Sequence, residues 1–139
     1  MSPGVDADKA VHTFRYAYYP HRGNEKHALV EQKAIAFNIL PVLTNGHNAA
    51  ALPESFLQTD CTNVEITAVT VAEDSDRLVV RMYQTDGTES ICCVTLPARV
   101  KKVSFCDLME REAEEVPVEN GAVVLKFKPF EIHTILVEM

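Results

Sequence analysis

From residue 64 onward the chain alternates apolar and polar positions with a period of two, the signature of strands that bury one face. Val64, Ile66 and Ala68 alternate with Glu65, Thr67 and Val69, and Leu78-Val79-Val80-Arg81-Met82-Tyr83 follows as a second apolar run. Asp86-Gly87 predicts a tight hairpin into Ile91-Cys92-Cys93-Val94-Thr95-Leu96, because that dipeptide supplies the positive φ angles of a type I′ turn. A further strand is predicted over residues 100–107. Asn120-Gly121 forms a second such turn before Ala122-Val123-Val124-Leu125-Lys126-Phe127. Pro129, which cannot donate a ladder hydrogen bond, separates that strand from a last one over residues 132–137. Some six short strands at near-regular spacing predict a mainly β fold, an antiparallel β-sandwich over residues 53–139.

The first fifty residues follow another pattern. His12, Phe14, Tyr16 and Tyr18 alternate with Thr13, Arg15, Ala17 and Tyr19, which predicts a strand broken by Pro20-His21-Arg22-Gly23-Asn24. Residues 25–38 read as a helix, with Leu29, Val30, Ala34 and Phe37 on one face and Pro41 closing it. Asn45-Gly46-His47-Asn48-Ala49-Ala50-Ala51 reads as a loop or linker. One strand and one helix cannot build a core by themselves, so residues 1–50 are expected to be an appendage of the sandwich or the tail of a larger domain.

Composition narrows the function classes. The chain has 139 residues, 47% hydrophobic and 24% charged, as soluble globular domains do. That is far below the about 250 residues of a (β/α)₈ barrel. Thirteen Lys+Arg against 20 Asp+Glu leave a net charge of −7. The densest charge run, Glu110-Arg111-Glu112-Ala113-Glu114-Glu115, is mostly negative and reads as a solvated loop or edge. No basic patch is available to neutralise phosphates, so neither nucleic acid nor an anionic membrane is an expected partner. No run approaches a membrane span, and Met1-Ser2-Pro3-Gly4-Val5-Asp6 lacks the pattern of a signal peptide. Cys61, Cys92, Cys93 and Cys106 form no Cys-x-x-Cys pair. Reduced thiols in a cytoplasmic protein are expected, rather than a disulfide framework or a zinc finger. Ser55, Ser75, Ser90 and Ser104 lack a nucleophile-elbow setting, and no glycine-rich phosphate loop occurs.

Residues 12–23, His12-Thr13-Phe14-Arg15-Tyr16-Ala17-Tyr18-Tyr19-Pro20-His21-Arg22-Gly23, resemble the His-x-Phe-x-Tyr-Ala-x-Tyr-Pro-His-x-Gly stretch in the C-terminal region of family 38 α-mannosidases. Arg81-Met82-Tyr83-Gln84 is similar to the family's Arg-Leu-Tyr-Glu, and Pro129-Phe130-Glu131-Ile132-His133-Thr134 to its closing Pro-Phe-Glu-Ile-x-Thr. Leu108-Met109-Glu110 and the pair Asn38 and Pro41 fit two further blocks, all in family order. Ala10 stands where a glycine is usual, and Gln84 where a glutamate is. The resemblance implies that residues 1–50 are the tail of a β-supersandwich and 53–139 the terminal small β-sandwich of a longer, retaining α-mannosidase. It implies zinc, held by Asp and His, in that parent's catalytic domain, and no cofactor in this chain. No catalytic or metal-binding motif of the family falls here, so no catalytic residue is carried over.

The expected roles are therefore structural. His12 and His21 have no metal-ligand spacing and read as structural or interdomain residues. Tyr16 and its aromatic neighbours are expected in a core, with a former interface as the other reading. His27, His47 and His133 are read as surface or edge residues. Arg81, if buried, needs a carboxylate partner, and Glu110 and Glu131 are the two in the matching blocks. The expected partners are the parent's catalytic and supersandwich domains, with a homodimer covering any face left bare. The alternative is an independent carbohydrate-binding module.

Overall fold

The computed structural model describes residues 9–42 and 55–139, so the loop read at residues 45–51 lies outside the described residues. The chain divides into two compact units, Met1–Thr44 and Asn45–Met139.

The second unit is a sandwich of two antiparallel sheets. Its strands are β1 (Gln58–Thr59), β2 (Val64–Val71), β3 (Leu78–Gln84), β4 (Ser90–Thr95), β5 (Lys102–Cys106), β6 (Glu112–Val116), β7 (Ala122–Phe127) and β8 (Ile132–Glu138). One sheet has the order β2-β3-β8-β5-β6 and the other β1-β4-β7. The alternating positions supply the core between them: Val80 and Met82 from β3, Cys92 and Val94 from β4, Val103 from β5, Val123, Leu125 and Phe127 from β7, and Ile135 and Val137 from β8. Each such aliphatic or aromatic side chain contributes about 1.5–3 kcal/mol when fully buried. A smaller cluster of Ala72, Val79 and Leu136, with Cys106 against it, lies apart from this core.

Three features depart from the periodicity. The phase of β2 changes where the register with β3 shifts between Ile66 and Ala68. Val64 and Ile66 pack against the core, and beyond the bulge Val69 falls opposite Val80. Thr67, left over, donates its hydroxyl to the Arg81 carbonyl at 3.2 Å. Second, Asp86-Gly87 is no hairpin: β3 and β4 belong to different sheets, and the dipeptide lies in the arch between them. Third, residues 112–115 of the acidic run lie in β6, an edge strand paired with β5. Asn120-Gly121 does form the expected tight turn, with φ of 51° and 77° and reciprocal 2.9 Å bonds between Glu119 and Ala122.

The first unit corrects two expectations. Residues 12–19 form no strand, because the described residues of this unit offer no ladder for them to join. The helix α1 runs only over Val30–Asn38. Residues 25–29 are a turn in which the Asn24 side chain accepts the His27 N–H at 2.9 Å, and Leu29 adopts a left-handed φ of 52°. A residue in that conformation cannot continue a right-handed helix, so regular helix begins after it.

Candidate functional site

In the first unit the aromatic residues stand in solvent: Tyr16 is 87% and Tyr18 90% exposed, where core positions were expected. With no strand there is no buried face for them to occupy. They line a groove of about 420 Å³ whose other wall is α1, through Val30, Lys33 and Phe37. The groove is held by Arg15, whose guanidinium lies 5.1 Å from the Phe37 ring centre and donates to the Phe37 carbonyl at 3.2 Å. Tyr19 donates to the Ala28 carbonyl at 3.4 Å, and its ring centre lies 5.8 Å from that of His21. His12 is exposed.

In the sandwich, Arg81 donates its Nε–H to the Thr134 hydroxyl at 3.3 Å, across the β3–β8 pair. The two glutamates expected beside it serve elsewhere. Glu110 accepts the Glu73 N–H at 2.9 Å and so ties the β5–β6 turn to the β2–β3 turn. Glu131 accepts the Lys128 N–H at 2.7 Å and closes the turn in which Phe130 holds a φ of 58°. Its carboxylate also lies 3.3 Å from His133 Nε2, which is 3.1 Å from the Lys126 carbonyl. His133 is not a surface residue: its ring is half-buried against Phe105 and Phe127, with ring centres at 5.0 and 4.5 Å.

Two polar centres were not singled out from sequence. Gln84 is fully buried, and its Oε1 accepts the N–H groups of Gly87 at 3.0 Å and Phe130 at 2.9 Å. Its amide donates to Asp86 Oδ1, which also accepts from Asn63, the Thr88 N–H and the Thr88 hydroxyl. This network builds the arch between the sheets. The only sequence signal was that Gln84 replaces a usual glutamate. The second centre is Glu112, which receives Lys102, Ser104 at 2.9 Å and Arg77 at 2.8 Å. Lys102 first, then Ser104 and Arg77, hold its carboxyl down at about 2.

One group of potential metal ligands occurs among the described residues: Asp60, Cys61 and Cys92, with donor atoms within 4.8 Å of one another. Asp60 accepts the Cys93 N–H at 2.8 Å, and that bond is the main cause that lowers its carboxyl below the usual range. Burial raises the Cys61 thiol and pushes that of Cys92 up to about 12. The four cysteines are free thiols.

Fold and site together define a β-sandwich domain in which Glu110, Glu112 and Glu131 tie turns and an edge strand together. The family model of the glycosyl hydrolases family 38 C-terminal beta sandwich domain matches residues 63–135, and the chain belongs to that family. It is 31% identical over 141 residues to alpha-mannosidase 2C1 of Homo sapiens, covering 97% of this chain and 14% of that protein. It is 26% identical over 140 residues to alpha-mannosidase G of Dictyostelium discoideum, covering 96% of this chain and 13% of the other. The chain thus spans about one-seventh of the length of the curated relatives it matches.

Proposed function

We propose that this chain is the non-catalytic C-terminal β-portion of a retaining, zinc-dependent α-mannosidase, with a structural role between domains. The carrying observation is that 97% of the chain aligns to one-seventh of an alpha-mannosidase, and that residues 63–135 match the family's C-terminal sandwich. A retaining glycosidase needs two carboxyl groups about 5–5.5 Å apart across the scissile bond. Three of the glutamates have other work: Glu110 and Glu131 cap turns and Glu112 neutralises Lys102 and Arg77. The zinc belongs to the parent's catalytic domain in this reading, bound by Asp and His. The exposed Tyr16 and Tyr18, with His12 and His21 in the same segment, supply the apolar surface that the catalytic and supersandwich domains cover, or that a homodimer covers when they are absent. Free thiols at all four cysteines favour the cytoplasm.

The exposed tyrosines also favour a second reading, a carbohydrate-binding module, since flat aromatic rings stack on sugars. Calorimetric titration of the chain with mannose and mannobiose separates the two. A structural domain gives no heat of binding, and saturable heat that disappears in Tyr16→Ala establishes the module instead. Hydrolysis of an aryl α-mannoside by the isolated chain would overturn both.

A further inference from the structure

Cys61 and Cys92 face each other through the strand register. β1 and β4 pair Gln58 with Thr95 and Thr59 with Val94, and the ladder continues when the Asp60 N–H donates to the Cys93 carbonyl at 3.1 Å. The next pair in that antiparallel order sets Cys61 against Cys92 on the inward face, where Cys92 is fully buried and Cys61 packs on the core. Asp60 brings a carboxylate to the same point, held by the Cys93 N–H at 2.8 Å. A hydrogen bond that fixes a ligating carboxylate is the usual support of a metal site. Asp60 is exposed, so solvent reaches one side of the group.

We infer that Asp60, Cys61 and Cys92 form a binding site for one thiophilic divalent cation of the zinc and cadmium type. Bond lengths of about 2.3 Å to sulfur and about 2.0–2.2 Å to oxygen set tetrahedral donors some 3.3–3.8 Å apart. The three donors lie within 4.8 Å of one another, close to that spacing. On binding, each thiol forms a metal–sulfur bond and releases its proton to solvent, while the carboxylate gives the third bond and water the fourth. Two sulfur donors in the group favour a cation with strong affinity for thiolate. Magnesium and calcium, which take oxygen ligands, are excluded by the same donor set. Two facing thiols alone would equally suit a disulfide; the oriented carboxylate is what favours the cation.

The test uses the reduced 139-residue chain and Co²⁺ as a spectroscopic probe. The expected result is a thiolate-to-cobalt charge-transfer band that saturates at one equivalent and is erased by Zn²⁺. Cys61→Ser removes the band, and Asp60→Asn weakens binding at least as much as the about 10–100-fold cost of losing an outer-sphere partner. Cys93→Ser and Cys106→Ser leave it intact. Cys92 is a core residue, so Cys61→Ser carries the test if the Cys92 variant does not fold. Absence of the band in the folded chain, or its persistence in Cys61→Ser, overturns the proposal. So does loss of two hydrogens in the mass spectrum under mild peroxide together with no metal uptake by the reduced form, which assigns the pair to a disulfide.

Discussion

At the scale of single residues, Gln84 is where charge matters most. Its Oε1 satisfies two backbone N–H groups while its amide faces the Asp86 carboxylate. Gln84→Glu keeps the first interaction and sets a carboxylate oxygen against Asp86 at a fully buried position. The expected cost is about 1–3 kcal/mol at neutral pH, the penalty of a buried polar group stripped of its partner. Urea unfolding should show that loss shrinking on acidification, as the carboxylate pair takes up a proton. A glutamine and a glutamate look alike in a hydrophobic pattern, and only the position of Asp86 tells them apart. Glu112 provides a pH dependence of opposite origin. Its folded carboxyl titrates near 2 against an ordinary 4.5, so its stabilising contribution is complete above 4.5 and is lost as pH falls toward 2. The group is part-exposed and solvent screens it, which limits the effect. Glu112→Gln should flatten the fall of the urea midpoint within that window, with the midpoint measured at several pH values for both proteins.

At the scale of elements, the same dipeptide signal produced two different turns. Asn120-Gly121 closes on itself through the Glu119 and Ala122 backbone, so the expectation from sequence held. Asp86-Gly87 has the same left-handed preference but serves an arch, because the strands it joins lie in opposite sheets. Local turn chemistry determines the backbone angles, not the sheet to which the next strand belongs. The two glycines should therefore respond differently to alanine. At Gly121, with a φ of 77°, an added Cβ meets open space and the cost is the about 1–2 kcal/mol of left-handed backbone. At Gly87, with a φ of 70°, the Cβ would lie 2.7 Å from two carbons of the Phe130 ring. Gly87→Ala should thus cost a further about 1–3 kcal/mol of overpacking, and Phe130→Ala in the same chain should recover part of it. Thermal melts of the three variants check this. If Gly87→Ala and Gly121→Ala melt alike, the ring does not press on the arch.

On the scale of the whole molecule, the core residues from Val64 to Val137 all belong to the second unit, as do the partners that pack on them. Residues 55–139 alone should therefore unfold in one cooperative urea transition, with a near-ultraviolet dichroism like that of the full chain. A non-cooperative melt would show that the first unit is needed for the sandwich. Residues 12–19 carry a strand pattern as clear as that of β2, yet they lie exposed, because alternation describes which side chains share a face and says nothing of whether a partner exists to hydrogen-bond the backbone.

The amino-acid sequence by itself determined the β class, most strand positions and the family, because side-chain alternation, turn dipeptides and ordered motifs are local and survive in one dimension. The tertiary structure alone decided which strands share a sheet, that β2 shifts phase at Thr67, and that Glu110 and Glu131 bind turns instead of Arg81. It also brought Asp60 and Cys61 to Cys92, 32 and 31 residues away in sequence, through the β1–β4 ladder. Those outcomes depend on which backbones pair and which faces close, and a period of two is the same for every pairing.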